Sequence, residues 1–324
     1  MRQPGKLNLI TDVPGLMLGH ATHPVIATGV TTLLCDGAWP AGVDVRGGGP
    51  GTRETEALAA ENAVARVHAI VLSGGSVFGL GAADGVTAVL SERGTGLQLQ
   101  PGVPAVPIVP AAVLYDLTVA ASGWGVEPPY RQLGIESVAN AARDFTLGSV
   151  GAGRGARAGL VKGGIGSASL VLGDGLVVGA LVAANPIGSA LMPDGRTYWA
   201  WPFEIDGEFG GLRPAADMPR SDPVPDQSRL GAIGRFTAGA NTTLCVIAVS
   251  AGLTPAECKR VAMMAQDGLA RAIRPAHTPF DGDTIFAIAK GVPLGDNRMV
   301  AIAEIGSAAA DCLSRAIARA VFHA

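Results

Sequence analysis

The sequence predicts an α/β fold in which long helices cover a sheet, and two features of its hydrophobic pattern support this prediction. Apolar residues recur with helical periodicity in five stretches, and five others form the short apolar runs typical of buried strands. Two of these runs flank Gly173-Asp174-Gly175, which indicates a hairpin with an Asp-Gly turn. Strands joined both by a hairpin and by long helices favour layers with a mixed or antiparallel sheet. The predicted helices are 53–67, 77–92, 135–146, 255–273 and 299–321, and the predicted strands are 68–72, 168–172, 176–183, 244–250 and 284–289.

In the N-terminal half, the strand 68–72 leads through Ser73-Gly74-Gly75-Ser76 directly into the helix 77–92. Such a junction has backbone amides that could bind an anion or a carbonyl oxygen, but it lacks the lysine of a phosphate-binding loop. The stretch 151–156 has the spacing G-x-G-x-x-A of a dinucleotide fingerprint, yet the glycines that follow it cannot open a helix. The sequence therefore predicts no nucleotide or other organic cofactor.

In the C-terminal half, the helix 255–273 has a complete set of start signals. Thr254 is placed to cap it, Pro255 suits its first position, and Glu257 stands where a capping box needs an acid. The apolar runs before this helix and before the last helix are short enough to be strands. Helices and strands therefore alternate to the end of the chain.

The composition is that of a packed globular protein. Of 324 residues, 48% are hydrophobic and 16% are charged, and the formal net charge is −3. No basic cluster indicates a nucleic-acid partner, and no apolar run is long enough to span a membrane. Four cysteines without C-x-x-C spacing predict buried free thiols, and the absence of an apolar leader favours a cytoplasmic location. The five histidines lack zinc-binding spacing, so no metal site is predicted.

Residues 192–240 form a long arm in which Pro and Gly interrupt every candidate helix or strand. A stretch of this length without secondary structure is typical of a functional or flexible segment. The arm ends at Asn241-Thr242-Thr243, immediately before a buried strand. We therefore expect a flexible arm that places one peptide bond over a reactive site.

Thr242 is the candidate nucleophile. Cleavage of the bond between Asn241 and Thr242 would make Thr242 a new N-terminus, with a hydroxyl and a free α-amine on one residue. Such an amine has a pKa of about 7.7–8.0, so at neutral pH it can accept the proton of the hydroxyl. Threonine at the start of a strand is also common for reasons of β-propensity alone, so the hypothesis needs partners.

Five polar residues are candidate partners. Asp281 and Asp283 flank a glycine at the start of a strand, where two carboxylates raise each other's pKa or orient a neighbour. Lys162, set among glycines, could be desolvated and act as a proton shuttle or as a charge partner of the carboxylates. Asn185 and Tyr115 could donate hydrogen bonds to an oxyanion. Each also has an ordinary explanation: an Asp-rich turn or cation site, a surface lysine, an Asn-Pro turn and an interfacial tyrosine.

Together these pieces resemble the self-processing family of L-aminopeptidase/D-esterases and β-peptidyl aminopeptidases. Asn241-Thr242 with Asp281-x-Asp283 is similar to its nylon-oligomer hydrolase branch, whereas the aminopeptidase branch usually has Gly-Ser at the cleavage site and Ser-x-Glu downstream. The resemblance lies in residues 11–16, 72–80, 115–116, 162–166, 185–188, 241–244 and 281–284.

The resemblance implies an amide hydrolase with an N-terminal nucleophile and a four-layer αββα sandwich with two mixed or antiparallel sheets. It implies self-cleavage into a large (α) subunit, residues 1–241, and a small (β) subunit, residues 242–324, which remain associated in one domain. A homo-oligomer, expected to be a tetramer, also follows. The implied substrates are peptides, amino-acid amides, β-peptides or amide oligomers, hydrolysed through an acyl-enzyme without a metal or organic cofactor.

Two other functions remain open on the sequence. Ornithine acetyltransferases also cleave themselves before Thr, although their usual Ala-Thr context is missing here, and acetyl exchange between amino acids would identify such an acyl transferase. A non-catalytic small-molecule-binding protein could instead use the glycine-rich loops. It would stay uncut and would be stabilised by its ligand without turnover.

Overall fold

The computed structural model describes residues 3–118, 123–218, 220–230 and 241–324. Within these residues, strands and helices form an α/β fold. In chain order they are β1 (Leu16–Thr22), β2 (Gly29–Val45), β3 (Thr52–Arg53), β4 (Arg66–Ser73), α1 (Ala82–Glu92), β5 (Ala111–Val113), α2 (Tyr130–Ala139), β6 (Arg157–Ala158), β7 (Val161–Lys162), β8 (Gly164–Val171), β9 (Val177–Asn185), β10 (Thr242–Gly252), α3 (Pro255–Ala272), β11 (Thr284–Pro293) and α4 (Arg298–Phe322).

Two mixed sheets share the long strand β2. One sheet has the order β8-β9-β10-β11-β2, and the other has the order β3-β5-β4-β2, with β1 also paired to β2. Residues 30–40 of β2 pair with β4, and residues 41–45 pair with β11, so the strand passes from one sheet into the other. The pairs β10–β11 and β4–β5 are parallel, whereas β8–β9, β9–β10 and β2–β11 are antiparallel.

Four layers result, because each sheet is covered on both faces. Helices α3 and α4 cover the outer face of the sheet that contains β10, and α1 and α2 cover the outer face of the other sheet. Between the sheets lies a middle core. Within β10, Val246 packs into this middle core and its neighbour Ile247 packs against the α3–α4 layer. Burial on both faces explains the continuous apolar run, and the predicted αββα sandwich is confirmed.

Two predicted helices are wrong in extent. Residues 53–67 contain only the 3₁₀ turn Glu56–Leu58, because Arg66 and Val67 pair with β2 and the chain must already be extended there. This is a case of tertiary pairing overriding a helix-favouring local sequence. Helix α2 ends at Ala139 rather than near residue 146, since the backbone of Ala142 exchanges hydrogen bonds with Leu18 of β1.

The start of α3 is confirmed. The Thr254 hydroxyl accepts a hydrogen bond from the Glu257 backbone N–H at 3.3 Å, and the Glu257 carboxylate accepts one from the Thr254 backbone N–H at 2.7 Å. The predicted hairpin is also present, as β8 and β9 with the 3₁₀ turn Gly173–Gly175 between them. All four cysteines are free and buried, as expected.

The glycine-rich junction after β4 does not offer its amides to a ligand. The Gly74 and Ser76 N–H groups donate to backbone carbonyls, and the Gly75 N–H donates to the Asp116 carboxylate at 2.7 Å. The expectation that this loop binds an anion is therefore wrong for these three amides. Residues 151–153 form a 3₁₀ turn, so the dinucleotide spacing has no strand–helix context.

The arm predicted over 192–240 is packed in much of its described part. Leu191 pairs with Tyr198, whose ring stands edge-on to the buried ring of Phe209 with centroids 5.4 Å apart. Residues 219 and 231–240 of the arm lie outside the described residues. No helix among the described residues is long and apolar enough to cross a membrane.

Candidate active site

Three strand ends of one sheet meet at Thr242. It is the first residue of β10, and it lies directly opposite Asn185, the last residue of β9. On the other side of β10, Asn241 forms a parallel bridge with Asp281, just before β11. Asn241 is 3% exposed and Thr242 is 2% exposed. The peptide bond between them is therefore held inside the protein at the end of the sheet.

Two groups contact the carbonyl oxygen of this peptide bond. The Thr242 hydroxyl donates a hydrogen bond to the Asn241 carbonyl oxygen, with the two oxygens 2.5 Å apart. The Gly282 backbone N–H donates to the same oxygen at 2.9 Å. Because an N–H donor at this position stabilises negative charge on the oxygen, the arrangement polarises the carbonyl beside a hydroxyl.

A glycine run packs against the turn that carries Gly282. The Gly49 N–H donates to the Asp281 carbonyl at 2.8 Å, and the N–H groups of Arg46 and Gly47 donate to the Asp283 carbonyl at 3.0 and 3.3 Å. A side chain at Gly282 would meet the Thr242 hydroxyl oxygen at 2.7 Å and the Gly49 carbonyl oxygen at 2.9 Å. Close approach of two backbones thus requires glycine here.

Asp281 and Asp283 are each 1% exposed and hold the backbone on both sides of the candidate nucleophile Thr242. One oxygen of Asp283 accepts from the Thr243 N–H at 2.9 Å, and the other accepts from the His277 N–H at 3.1 Å and lies 2.9 Å from His277 Nδ1. Asp281 accepts from the Ile187 N–H at 3.1 Å on one oxygen and from the Thr278 N–H and hydroxyl on the other. Their burial excludes a solvated Asp-rich turn.

Neither carboxylate binds Thr242 directly in the uncut chain. Among the described residues, the hydrogen bonds of the pair go to Thr243, His277, Thr278 and Ile187. The pair therefore acts on Thr242 through the backbone on each side of it. In the described ranges, no group of three or more His, Cys, Asp or Glu residues is placed to hold a metal ion.

The pKa of Asp281 predicts how stability depends on pH. Burial raises the pKa of this carboxyl to about 6, and the negative charge of Asp283 acts in the same direction. The folded protein then binds this proton more tightly than the unfolded chain does. The resulting stability is fully present below about pH 4 and is lost as the pH rises through about pH 6. Relative to an Asp281→Asn variant, we expect the free energy of unfolding to fall by up to roughly 3 kcal/mol across this window.

Urea unfolding at a series of pH values would measure this effect. Both proteins would carry Thr242→Ala, so that their covalent structures are identical. A stability difference between them that stays constant from acid to neutral pH would contradict the raised pKa of Asp281.

Asn185 and Tyr115 are in contact, but the side chain of Asn185 contacts the backbone of Tyr115 and not its hydroxyl. The buried Asn185 amide donates from Nδ2 to the Tyr115 carbonyl at 3.2 Å, and its Oδ1 accepts from the Arg157 N–H at 2.9 Å. The side chain of Tyr115 is 41% exposed. Asn185 lies opposite Thr242 in the sheet. Its side-chain amide is held in place by hydrogen bonds with Tyr115 and Arg157.

The environment of Lys162 differs from the predicted one. It is the second residue of β7, its side chain is exposed, and no ion pair among the described residues joins it to Asp281 or Asp283. Asp283 pairs with His277 instead. The glycines around Lys162 allow tight turns and close strand packing, and they do not bury the ammonium group. The expectation of a desolvated lysine is therefore wrong for the single chain.

Sequence reasoning missed Gly282, His277 and Arg229. Gly282 lies between the two candidate carboxylates, Asp281 and Asp283. Its N–H is identified as a donor only by its hydrogen bond to the Asn241 carbonyl, which the sequence does not show. His277 has a positive φ of 55°, which few residues other than glycine adopt. Arg229 donates from Nη2 to the carbonyls of Pro186, Asn185 and Arg157 at 2.8, 3.3 and 3.0 Å. The run of three glycines at 47–49 was the one sequence signal for the close approach near Gly282.

Comparison with known protein families decides the assignment. The profile of Peptidase family S58 matches residues 8–324, nearly the whole chain. The protein belongs to peptidase family S58. It is a hydrolase that acts on peptide or amide bonds, as the resemblance implied.

Relatives of this S58 peptidase include aminopeptidases and nylon-oligomer hydrolases. An uncharacterized aminopeptidase of Mycobacterium tuberculosis is 42% identical over 337 residues, covering 98% of this chain and 94% of the relative. The 6-aminohexanoate-oligomer endohydrolase of a Kocuria species is 30% identical over 296 residues, covering 89% of this chain and 76% of the relative. Both branches named in the resemblance are therefore represented.

Solved structures confirm the fold of this S58 peptidase. A β-aminopeptidase of a Burkholderia species has a TM-score of 0.71 at 24% identity and covers 99% of this chain and 88% of its own. The L-aminopeptidase D-Ala-esterase/amidase of Ochrobactrum anthropi, described as a variant of the Ntn-hydrolase fold, has a TM-score of 0.72 at 22% identity, with coverage of 100% and 88%. At these identities the likeness concerns the fold alone.

Proposed function

We propose that the protein is an amide hydrolase that activates itself by cutting the bond between Asn241 and Thr242 and then uses the N-terminal Thr242 as its nucleophile. One observation carries this proposal: the Thr242 hydroxyl and the Gly282 N–H meet on the carbonyl oxygen of that bond, at 2.5 and 2.9 Å. A nucleophile and an oxyanion donor directed at one buried carbonyl are the two groups that acyl transfer needs.

Self-cleavage begins with attack of the Thr242 oxygen on the Asn241 carbonyl carbon. The Gly282 N–H stabilises the negative charge that develops on the carbonyl oxygen. The carbon–nitrogen bond then breaks, the hydroxyl proton is transferred to the departing nitrogen, and an ester links Asn241 to Thr242. Water hydrolyses this ester, which leaves a carboxylate on Asn241 and a free amine on Thr242.

Turnover repeats the same chemistry on a substrate amide. The Thr242 oxygen attacks the substrate carbonyl, and the new α-amine of Thr242 accepts the proton; Lys162 is the other candidate base. The Asn185 amide and the Tyr115 hydroxyl are the proposed donors to the oxyanion. Asp283 and Asp281 keep Thr242 in position through Thr243 and through the turn at Gly282. The substrate carbon–nitrogen bond then breaks, the departing amine takes up the proton that came from the hydroxyl, and water hydrolyses the resulting ester to release the acyl group as a carboxylic acid.

The sheet order supports a stable two-fragment protein. Strands β10 and β11 belong to the proposed small fragment, and they lie between β9 and β2 of the large fragment. Because both central strands are hydrogen-bonded to the large fragment, cleavage leaves the two pieces in one shared core. We propose that they remain associated, and gel filtration of the cut protein under native conditions would detect both in one peak.

The proposed substrates are small amides with access to the end of the sheet. The names of the relatives suggest two modes: removal of an N-terminal residue, as by an aminopeptidase, and internal cleavage of amide oligomers, as by an endohydrolase. Blocking the free amine of a substrate separates them, since only the first mode depends on it. The tetramer and the cytoplasmic location remain predictions.

Intact-mass spectrometry of the purified protein tests the proposal. We expect two fragments, and the smaller should contain the 83 residues from Thr242 to Ala324. By their share of the 32.6 kDa chain, the fragments have masses of about 8 and about 24 kDa. Sequencing the N-terminus of the smaller fragment should begin at Thr242. An intact chain after prolonged incubation would refute self-processing.

Asn185→Asp tests the proposed oxyanion donor. The variant keeps an oxygen to accept the Arg157 N–H but loses the Nδ2 donor. We expect self-cleavage or turnover to be at least about tenfold slower, because removing one donor costs this much or more in related chemistry. Circular dichroism would show that the fold is retained, and unchanged rates of both reactions would remove Asn185 from the oxyanion site.

A further inference from the structure

Two arginines, Arg229 and Arg157, contact the residue that faces Thr242, and neither takes part in an ion pair among the described residues. Arg229 lies across the end of β9, where its Nη2 donates to the carbonyls of Asn185, Pro186 and Arg157. Arg157 in turn donates its backbone N–H to the Asn185 side chain. Asn185 is the register partner of Thr242. Both arginines are thus connected to the residue that faces the nucleophile across the sheet.

The Arg229 side chain has hydrogen-bonding capacity that the described structure leaves unused. Its Nε is buried and has no hydrogen-bond partner among the described residues, and Nη1 makes no hydrogen bond to them either. A buried guanidinium nitrogen without an acceptor is unfavourable by itself. The planar fork of a guanidinium fits the two oxygens of a carboxylate.

Within the described part of the chain, no carboxylate forms an ion pair with Arg229. None of the ion pairs in the described ranges involves Arg229, Arg157 or Lys162. Lys162 is the cross-strand neighbour of Arg157, so like charges face each other on the short hairpin. Burial lowers the pKa of Arg229 to about 10, and the charge of Arg157 acts in the same direction while that of Asp281 opposes it. Arg229 therefore stays charged at pH 7.

The position of Arg229 is built into the fold. Its backbone N–H donates to the Ile187 carbonyl at 2.8 Å, and the carbonyl of the nearby Gln227 accepts from the Leu160 N–H at 3.0 Å. The segment that carries Arg229 is thereby attached to β9 on one side and to the β6–β7 hairpin on the other. Arg157 is placed on the same hairpin, where its Nη2 donates to the Leu160 carbonyl at 2.9 Å.

The geometry points to a carboxylate subsite formed by Arg229 and Arg157 beside Thr242, so that preferred substrates carry a carboxylate close to the amide that is cut. This inference rests on the proposed hydrolase function and names a substrate class for it. A carboxylate at this place would accept a hydrogen bond from Nη1 of Arg229, the nitrogen that makes no hydrogen bond to the described residues, and would be attracted by the charge of the guanidinium. Arg157 would add a second, solvent-exposed charge.

Matched substrates test the subsite in the self-cleaved enzyme. A panel of dipeptides would be assayed as free acids and as C-terminal amides, together with N-succinyl and N-succinamoyl anilides, which differ by one carboxylate on the acyl side. We expect at least one pair to favour the acid by roughly tenfold or more in kcat/KM, as a charge-assisted pair allows. In Arg229→Gln this preference should fall to near unity, mainly through KM. Equal preference in wild type and Arg229→Gln would overturn the subsite.

Further variants distinguish the loss of a carboxylate subsite from a general loss of structure. Arg157→Gln changes an exposed side chain and should weaken the preference for the acid only in part. Arg131→Gln, an exposed arginine on α2, is the control and should leave the preference unchanged. Arg229→Lys keeps the charge without the fork, so it should retain part of the preference. A drop of equal size for acids and amides in Arg229→Gln would indicate a purely structural role and contradict the proposal.

Calorimetry separates failure of the subsite from failure of the proposed function. Hexanoate and hexanamide would be titrated into the cleaved wild-type protein and into Arg229→Gln. We expect hexanoate to bind the wild type more tightly than hexanamide and to lose this advantage in the variant. Absence of hexanoate binding would overturn the subsite even if amides are hydrolysed. An uncut chain by mass spectrometry would instead refute the proposed function.

Discussion

Replacement of Thr242 by alanine should leave the protein as one chain of 32.6 kDa that hydrolyses no amide. Of the two described groups that contact the Asn241 carbonyl oxygen, the change removes the hydroxyl, which is the one that can form a bond to the carbonyl carbon. It should not unfold the protein, because the one hydrogen bond of this hydroxyl in the described structure goes to the neighbouring carbonyl. Intact-mass spectrometry and an amide-hydrolysis assay would measure both losses, each expected to be complete within detection.

Thr242→Ser is the matched control. It keeps the hydroxyl and removes a methyl group, so it should still cleave itself, at a reduced rate, because the serine hydroxyl has more rotational freedom. If Thr242→Ala were still cut before residue 242, another group would have to be the nucleophile.

Replacement of Gly282 by alanine should slow self-cleavage by roughly tenfold to a hundredfold. The new methyl group would lie 2.7 Å from the Thr242 hydroxyl oxygen and 2.9 Å from the Gly49 carbonyl oxygen. Contacts this short force the turn away from β10, which displaces both the hydroxyl and the N–H that donates to the scissile carbonyl. The rate of appearance of the small fragment after synthesis would measure the effect.

Gly295→Ala is the control for this substitution. A methyl group at Gly295 meets no atom within 4 Å, so self-cleavage should proceed at the wild-type rate. Normal cleavage in Gly282→Ala as well would show that the carbonyl needs neither this N–H nor this position of the hydroxyl.

Asp281 and Asp283 show that candidate site residues can be selected from the sequence before their hydrogen bonds are known. Their spacing and their place before a strand marked them as partners of the nucleophile. The structure instead connects them to backbone groups of Thr243, Thr278 and Ile187. Spacing along the chain indicates which residues share a turn, whereas the direction of each carboxylate depends on how β9, β10 and β11 come together.

The strands that pair across long distances were the least predictable part of the fold. Strand β2 contains Pro40 and Gly37, which interrupt its apolar pattern, and its bent course through two sheets is decided by its partners β4 and β11. Residues 53–67 had a helix-favouring composition but lie where the chain must reach β4. Propensity acts locally, and pairing energy at distant positions outweighs it.

By itself, the sequence determined the elements whose signals are local: the capped helix α3, the strands β8 to β11, the buried cysteines and the position of Asn241-Thr242 at the start of a strand. Hydrophobic periodicity, capping and turn chemistry act over a few residues, so they can be read along the chain. Only the tertiary structure decided which groups surround Thr242. The hydrogen bond from the Gly282 N–H to Asn241, the link from Asp283 to Thr243 and the position of Arg229 all depend on contacts between segments far apart in sequence, and those contacts exist only once the sheet has formed.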